Sequence, residues 1–132
     1  MKIILSIKPV FVERIFKGTK RFEFRRAIFK NPDVDKVIIY ASAPVSKVVG
    51  EFEIKNILKD ELNTLWAETK EYSGISKDFF FQYFSGKSEG YALEIKKVLR
   101  YKKQLCIKKE FGLLPPQSFI YLKDKRTCAQ QE

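Results

Sequence analysis

The 132-residue sequence contains no histidine, and this absence excludes several classes of enzyme. Catalytic triads and dyads built on histidine, zinc sites with histidine ligands and imidazole acid–base chemistry all require the missing side chain. The two cysteines, Cys106 and Cys128, are too few for a zinc site made of cysteine alone. Because Cys128 lies in a polar tail, two reduced thiols are a better interpretation than a disulfide. We therefore expect no bound metal and no cofactor.

Long apolar runs are also missing. No stretch approaches the ~20 apolar residues that a membrane-spanning helix needs. The apolar N-terminal segment is short, is broken by Ser6, Lys8 and Pro9, and has no small-residue cleavage site of the kind that ends a signal peptide. A basic amphipathic helix, which would favour a membrane surface as partner, is absent as well. The sequence thus predicts a cytoplasmic protein with no membrane partner.

Acidic residues are outnumbered, since 26 Lys and Arg face 16 Asp and Glu, a net charge of +10. Residues 1–66 and 67–132 each carry 13 basic and 8 acidic side chains, so no separate basic arm accounts for the excess. A compact domain with this charge attracts polyanions, and the phosphate backbone of nucleic acids is the commonest large one in a cytoplasm. The densest stretch, residues 96–109, has no acidic residue, and its seven basic residues form a predicted basic patch: Lys96, Lys97, Arg100, Lys102, Lys103, Lys108 and Lys109. The alternative is a lysine-rich surface that is only solvated.

The pattern of apolar residues predicts the element order β-α-β-β-β-α-α-β-β. The predicted strands cover residues 2–8, 21–28, 36–42, 46–57, 90–101 and 118–122. The first helix begins at Pro9 and ends at Gly18, because proline suits a first helical turn and glycine a left-handed helix end. Gly50 indicates a bulge or bend in its strand.

Two further helices are predicted in the middle of the chain. One could begin at Asp60 and presents Leu62, Leu65, Trp66 and Thr69 on one face. The other begins at Ser76 and ends at Gly86, and its aromatic stripe fits core packing better than base stacking: Phe79, Phe80, Tyr83 and Phe84. Together the elements predict an α+β fold, a mixed β-barrel of about five to six strands with helices at its ends. We expect a single domain over residues 2–122 and a disordered polar tail over residues 123–132.

The stretch from Gly18 to Arg26 is the most informative about chemistry. If the phenylalanines of this strand, Phe22 and Phe24, fill the barrel, Glu23 and Arg25 project together from its other face, about 7 Å apart at the backbone. A carboxylate held among cations can accept a hydrogen bond from an amino group, while its neighbours bind a phosphate. The alternative is a solvent-exposed ion pair, which contributes little to stability.

Gly18-x-Lys20-x-x-Glu23-x-Arg25 resembles the G-x-K-x-x-E-x-R signature of the ASCH domain, a branch of the PUA-like superfamily. Residues 3–9, 40–44 and 90–95 are also similar to ASCH sequences, so the resemblance covers about residues 2–122. It implies a PUA-like barrel with a cleft lined by Lys20, Glu23 and Arg25, and a role in binding RNA, in preference to DNA, or a modified nucleotide. Weaker candidates are polar residues at strand ends, which surface solvation or turn formation explains equally well: Lys8, Ser42, Gln117 and Ser118.

Some ASCH proteins are enzymes, and the resemblance leaves two catalytic alternatives open. The bacterial N4-acetylcytidine amidohydrolases are similar in the signature and use a lysine base, which Lys20 matches. They also use a threonine nucleophile, and here Glu23 stands in its place, a poor nucleophile for amide hydrolysis. A ribonuclease would use Lys20 or Glu23 as its base, with Arg25 stabilising the charged phosphorus centre. A binding module needs only the cleft and a basic rim, so it is the favoured interpretation.

Overall fold

The structure, a computed structural model, describes residues 1–122, so the tail predicted to be disordered lies outside the described residues. Within this part the strands are β1 (Lys2–Ile7), β2 (Phe22–Arg25), β3 (Lys36–Ala41), β4 (Lys47–Glu61), β5 (Glu89–Leu105) and β6 (Phe119–Leu122). The helices are α1 (Pro9–Lys17), α2 (Leu62–Thr69), α3 (Lys77–Tyr83) and α4 (Ile107–Phe111), and a 3₁₀ turn, Lys70–Tyr72, follows α2. No helix of residues 1–122 is long and apolar enough to cross a membrane.

The strands form one mixed sheet in the order β2-β5-β4-β3-β1-β6. β1 and β3 run parallel, and the other neighbours are antiparallel. Side chains bring the two edges together: the ring of Phe29, just after β2, packs against Phe119 of β6, and the Tyr121 hydroxyl accepts hydrogen bonds from the backbone of Lys30 and Asn31. The predicted α+β, barrel-like sheet is therefore confirmed, but its edges meet through side chains and leave a gap in the backbone ladder.

Apolar side chains fill the concave side of the sheet and cover its outside in two places. On the concave side, Val12 and Ile15 of α1 pack among buried residues of the central strands. On the outside of β1 and β3, Ile107 of α4 packs against a separate cluster. On the outside of β2 and β5, α2 and α3 cover a third cluster, whose buried members are Phe24, Leu65, Phe80, Phe84 and Ala92.

The two faces of β2 are opposite to the prediction. Phe22 and Phe24 pack on the outside under α2 and α3, whereas Glu23 pairs in register with Leu93, a residue of the concave core. Strand alternation defines two faces without saying which one is concave, so the sequence could not decide this. Glu23 is only 6% exposed, so the alternative of a solvent-exposed ion pair is also wrong.

The first helix and its end follow the prediction. Pro9 lies in the first turn of α1, and Gly18 ends the helix at a φ of 84°. The N–H groups of Thr19 and Lys20 then donate to the carbonyl of Arg14, each at 3.1 Å. These bonds fix the direction in which the chain leaves the helix, and so determine where Lys20 enters the fold.

The β4–β5 ribbon departs most from the prediction. β5 continues to Leu105 instead of ending near residue 101, and the short helix α4 that follows it was not predicted. The bulge expected at Gly50 is confirmed, since the register of β3 and β4 shifts beside it. A Cβ at Gly50 would lie 2.5 Å from the carbonyl oxygen of Leu99 and 2.8 Å from the ring of Phe16, so only glycine allows this close approach.

Candidate functional site

A cleft of about 340 Å³ lies between the ends of β1 and β2, the helices α1 and α3, and the loop that leads into β6. It brings together five of the residues predicted for the site: Lys8, Lys20, Glu23, Arg25 and Gln117. The sequence did not single out the other lining residues as site residues: Ser6, Ile7, Phe11, Phe24, Ile75, Phe79 and Tyr83. The volume is at the lower end of the range for small-molecule sites, which suits one nucleotide-sized group.

The remaining predicted residues lie around the cleft or away from it. Ser118 is at its edge, where its hydroxyl accepts a hydrogen bond from Nη2 of Arg25. Ser42 does not line the cleft; its backbone N–H donates to the carbonyl of Ile7 at 3.0 Å and so supports the end of β1. The seven residues of the basic patch are all exposed, and none of them lines the cleft. Two of them face carboxylates: Lys97 lies 4.0 Å from Glu53 and Arg100 lies 3.1 Å from Glu13.

Lys20 is a buried cation at the base of the cleft, only 2% exposed. Its Nζ donates to the carbonyl of Ser73 at 2.8 Å and lies 5.2 Å and 4.9 Å from the ring centroids of Phe11 and Phe24. Gly74 makes room for it, because a Cβ at that position would come within 2.4 Å of the Lys20 side chain. Packing from three directions therefore holds this amine in one place.

The environment of Lys20 shifts its protonation equilibrium. Burial lowers the pKa of the amine from 10.5 to about 8, because the charged form loses its hydration. The positive charge of Arg14 acts in the same direction, whereas the carboxylate of Glu23 opposes the shift. Near neutral pH the lysine is mostly charged, but it releases its proton far more easily than a lysine in water.

Glu23 and Arg25 form an ion pair beside Lys20. Nη1 of Arg25 lies 3.4 Å from Oε2 of Glu23, and the two side chains are 14% and 8% exposed. Nη2 of the same guanidinium donates to Ser118, so Arg25 links the end of β2 to the start of β6. In the described part of the chain, the Glu23 carboxylate accepts a hydrogen bond from Arg25 at Oε2. Its other oxygen, Oε1, can accept a hydrogen bond from a ligand.

The hydroxyl groups that line the cleft in residues 1–122 belong to Ser6 and Tyr83. Both hydroxyls donate hydrogen bonds to backbone carbonyls: Ser6 to that of Pro116 and Tyr83 to that of Phe24. Burial raises the pKa of the Tyr83 hydroxyl, so it stays protonated. As arranged, neither hydroxyl is an activated nucleophile.

Phe79 is the cleft-lining residue whose environment was predicted wrongly from the sequence. The stripe prediction is confirmed for Phe80 and Phe84, which are fully buried, but Phe79 is 36% exposed at the mouth of the cleft. It packs edge-on against Phe11, with ring centroids 5.3 Å apart. Helical spacing shows that these aromatics share one side of α3, but not how far the covering sheet extends along it.

No group of three or more histidine, cysteine, aspartate or glutamate residues in the described part of the chain could hold a metal ion. The charged and amide groups at the cleft are three cations, one carboxylate and one amide, a set suited to hydrogen bonding with an organic ligand: Lys8, Lys20, Arg25, Glu23 and Gln117.

Known proteins similar to this chain include one that is much longer than the chain and one of similar length. A protein of Ureaplasma parvum serovar 3 named ATP synthase subunit alpha is 34% identical over 122 residues, covering 92% of this chain but only 15% of the relative. An "ASCH domain-containing ribonuclease" of Zymomonas mobilis is 29% identical over 127 residues, covering 94% of this chain and 86% of the relative. The chain therefore spans a small part of the first relative and most of the second.

The fold has a solved counterpart. The crystal structure of ASCH from Zymomonas mobilis is similar with a TM-score of 0.86 and 27% sequence identity, covering 98% of this chain and 93% of the other. The sequence profile of the ASCH domain matches residues 5–115, which include the whole signature and all of the cleft-lining residues except Gln117. The chain belongs to the ASCH domain family.

Proposed function

We propose that this protein binds single-stranded RNA and holds one nucleotide of it in the cleft. The observation that carries the proposal is the convergence of Lys20, Glu23 and Arg25 on one cleft with aromatic walls. A concave site of this size suits an unstacked base or a chain end better than the edges of a duplex. The net charge of +10 supplies the general attraction for a polyanion.

Each polar group of the cleft has a role in the proposed complex. Oε1 of Glu23 accepts a hydrogen bond from an amino or imino group of the base, since a carboxylate is an acceptor only. Lys20 has N–H donors left beyond its bond to Ser73 and gives one to a carbonyl or phosphate oxygen. Lys8 and Gln117, both exposed, form the rim. The ribonuclease name of the Zymomonas relative supports RNA as the nucleic acid. A cytoplasmic location, where RNA is abundant, is part of the same proposal.

The test is fluorescence-anisotropy binding of a labelled single-stranded RNA and of the DNA with the same sequence, each at two salt concentrations. We expect the wild type to prefer RNA, and the Lys20→Met/Arg25→Gln variant to lose at least about 10-fold in affinity, because charge-assisted hydrogen bonds in the cleft are removed. Circular dichroism and the fluorescence of Trp66, the single tryptophan, report whether the variant is folded. Equal affinity of folded variant and wild type, or no binding of RNA by the wild type, would refute the cleft as an RNA site.

We propose a supporting role for the basic patch as a contact for the RNA backbone. Replacing Lys102 or Lys103 by alanine is expected to weaken binding of every sequence to a similar extent. Each change should also reduce the slope of log affinity against log salt by about one unit, because one phosphate contact is lost. The matched control is Lys59→Ala, at the other end of the β4–β5 ribbon, where Lys59 faces Glu89 at 3.6 Å. An unchanged slope in the patch variants would remove this surface from the interface.

One observation favours a second candidate, the cleavage of RNA. A buried lysine with a pKa of about 8 is a competent general base near neutral pH. Lys20 would take the proton of a 2′-hydroxyl, whose oxygen attacks phosphorus and forms a 2′,3′-cyclic phosphate as the bond to the 5′-oxygen breaks. The leaving 5′-oxygen takes a proton from water, and Arg25 stabilises the added negative charge at phosphorus. Electrophoresis of the RNA recovered from the binding assay detects cleavage, which would disappear in Lys20→Met. Amidohydrolysis of N4-acetylcytidine is less well supported, since the hydroxyls that line the cleft are committed to carbonyls.

A further inference from the structure

At the mouth of the cleft lies an aromatic ring, Phe79, to which the nucleotide site proposed above assigns no individual role. Phe79 is 36% exposed, whereas the other aromatic side chains that line the cleft are buried or half-buried. Exposing a phenylalanine ring to water is unfavourable. Because this ring lies on the rim of a concave site, it offers an apolar surface to a bound ligand.

Contacts of both the side chain and the backbone fix the position of the Phe79 ring. It forms a T-shaped pair with the ring of Phe11, at an angle of 76° between the ring planes. Its backbone N–H donates to the capping hydroxyl of Ser76 at 3.1 Å, which anchors the first turn of α3. Lys8, an exposed residue on the opposite wall, places its Nζ 5.8 Å from the ring centroid. A flat apolar surface and an exposed cation therefore lie next to each other at the entrance.

We propose that Phe79 stacks the base adjacent to the nucleotide held in the cleft, and that Lys8 binds the phosphate between the two nucleotides. This inference rests on the proposed function. It makes the ligand a single-stranded oligonucleotide of two or more nucleotides, as distinct from a free nucleoside. Stacking on a phenylalanine tolerates any base, because every base has a π-face, so sequence preference remains with the polar groups inside the cleft.

The arrangement of charged groups supports a position inside the cleft for the base and a position at the entrance for the phosphate. Inside the cleft the Arg25 guanidinium is engaged by Glu23 and Ser118, and Lys20 by Ser73. A backbone phosphate placed deep in the cleft would also approach the Glu23 carboxylate. Lys8 has a weak contact with an aromatic face and lies at the rim, so it can turn toward a phosphate at little cost. The phosphate therefore fits at the entrance and the base inside.

The experiment compares Phe79→Leu with Tyr72→Leu. Tyr72 is 37% exposed and lies outside the lining of the cleft, under the guanidinium of Arg21 at 4.1 Å from its ring centroid, so it matches Phe79 in exposure but not in position. The probes are a labelled eight-nucleotide RNA and, as a competitor, the nucleoside cytidine, which has a base but no phosphate. We expect Phe79→Leu to weaken binding of the eight-nucleotide RNA about 10-fold and Phe79→Trp to preserve it. We expect Tyr72→Leu to behave like wild type, and the affinity for cytidine to be the same in all of these proteins.

A second variant covers the case in which Phe79→Leu does not fold. Lys8→Ala, an exposed change, should weaken binding of the eight-nucleotide RNA and reduce its salt slope by about one unit, with no effect on the affinity for cytidine. The inference is overturned if wild type binds the RNA but folded Phe79→Leu or Lys8→Ala binds it equally well. It is also overturned if the affinity for cytidine falls by the same factor. If wild type binds no RNA, the proposed function falls, and this inference falls with it.

Discussion

Replacing Lys20 by methionine is expected to stabilise the protein relative to wild type much more at pH 7 than at pH 10. The folded-state pKa of Lys20 is about 8, below the 10.5 of a lysine in the unfolded chain. Between these values the unfolded chain binds more protons, so wild-type stability rises as the pH increases through this window. At pH 7 the full penalty for a buried charge is present, and by pH 10 most of it is gone. The difference between variant and wild type should therefore shrink by about 2 to 3 kcal/mol.

The measurement is guanidinium-induced unfolding of both proteins at the two pH values. The loss of the hydrogen bond to Ser73 is expected to be similar at both pH values, so it largely cancels in this comparison. Lys17→Met, which removes an exposed lysine at the end of α1, is the control and should give the same difference at both pH values. A Lys20→Met difference that does not change with pH would show that Lys20 is not buried as a charge.

The free-energy cost of burying the charge of Lys20 is consistent with a functional role for the residue. A methionine would fill the same space without a buried charge and would lose only the hydrogen bond to the carbonyl of Ser73. Proteins commonly accept such local costs at binding and catalytic sites. An incoming phosphate or carbonyl oxygen would supply a partner for the charged amine and raise its pKa toward the ordinary value. RNA binding by the cleft would then be linked to proton uptake between pH 8 and 10.

The sequence predicted the order of the strands and most helices because local signals were strong. Pro9 and Gly18 delimit α1, and Ser76 caps α3 through the N–H of Phe79. α4 was missed because its five residues lie within a lysine-rich stretch with little helical periodicity. The extension of β5 to Leu105 depends on pairing with Val48 across an irregular register, and a single strand carries no signal of such distant contacts.

At the site, the sequence predicted the polar residues but not their surroundings. The spacing of Lys20, Glu23 and Arg25 placed all three on one short segment, and the structure brings them to one cleft. The aromatic walls come from α1 and α3, which are more than 60 residues apart along the chain, so no local pattern could unite them. The exposure of Phe79 depends on where the neighbouring sheet ends, which is a property of the assembled fold. The sequence therefore supplied the chemistry of the site, and tertiary packing determined its shape.

Arg25→Ala is expected to lower the free energy of unfolding by about 3 kcal/mol, because it leaves the Glu23 carboxylate buried without its cation. The same change made in a Glu23→Gln background should cost only about 1 kcal/mol, since a neutral amide needs no counter-charge. The coupling between the two positions, measured by urea unfolding of the wild type, both single variants and the double variant, is therefore about 2 kcal/mol.

A second contact of Arg25 offers another explanation for the loss of stability expected in Arg25→Ala, and the same set of variants distinguishes the two explanations. The guanidinium also binds Ser118 and so ties β2 to β6, the two edges of the sheet. If this tie were the main contribution, Arg25→Ala would cost the same with Glu23 or Gln at position 23, and Ser118→Ala would reproduce the loss. We expect Ser118→Ala to cost under about 1 kcal/mol, because a single partly exposed hydrogen bond contributes little net stability. The ion pair, placed at the open edge of the sheet, would then both neutralise the carboxylate and keep its second oxygen directed at the ligand.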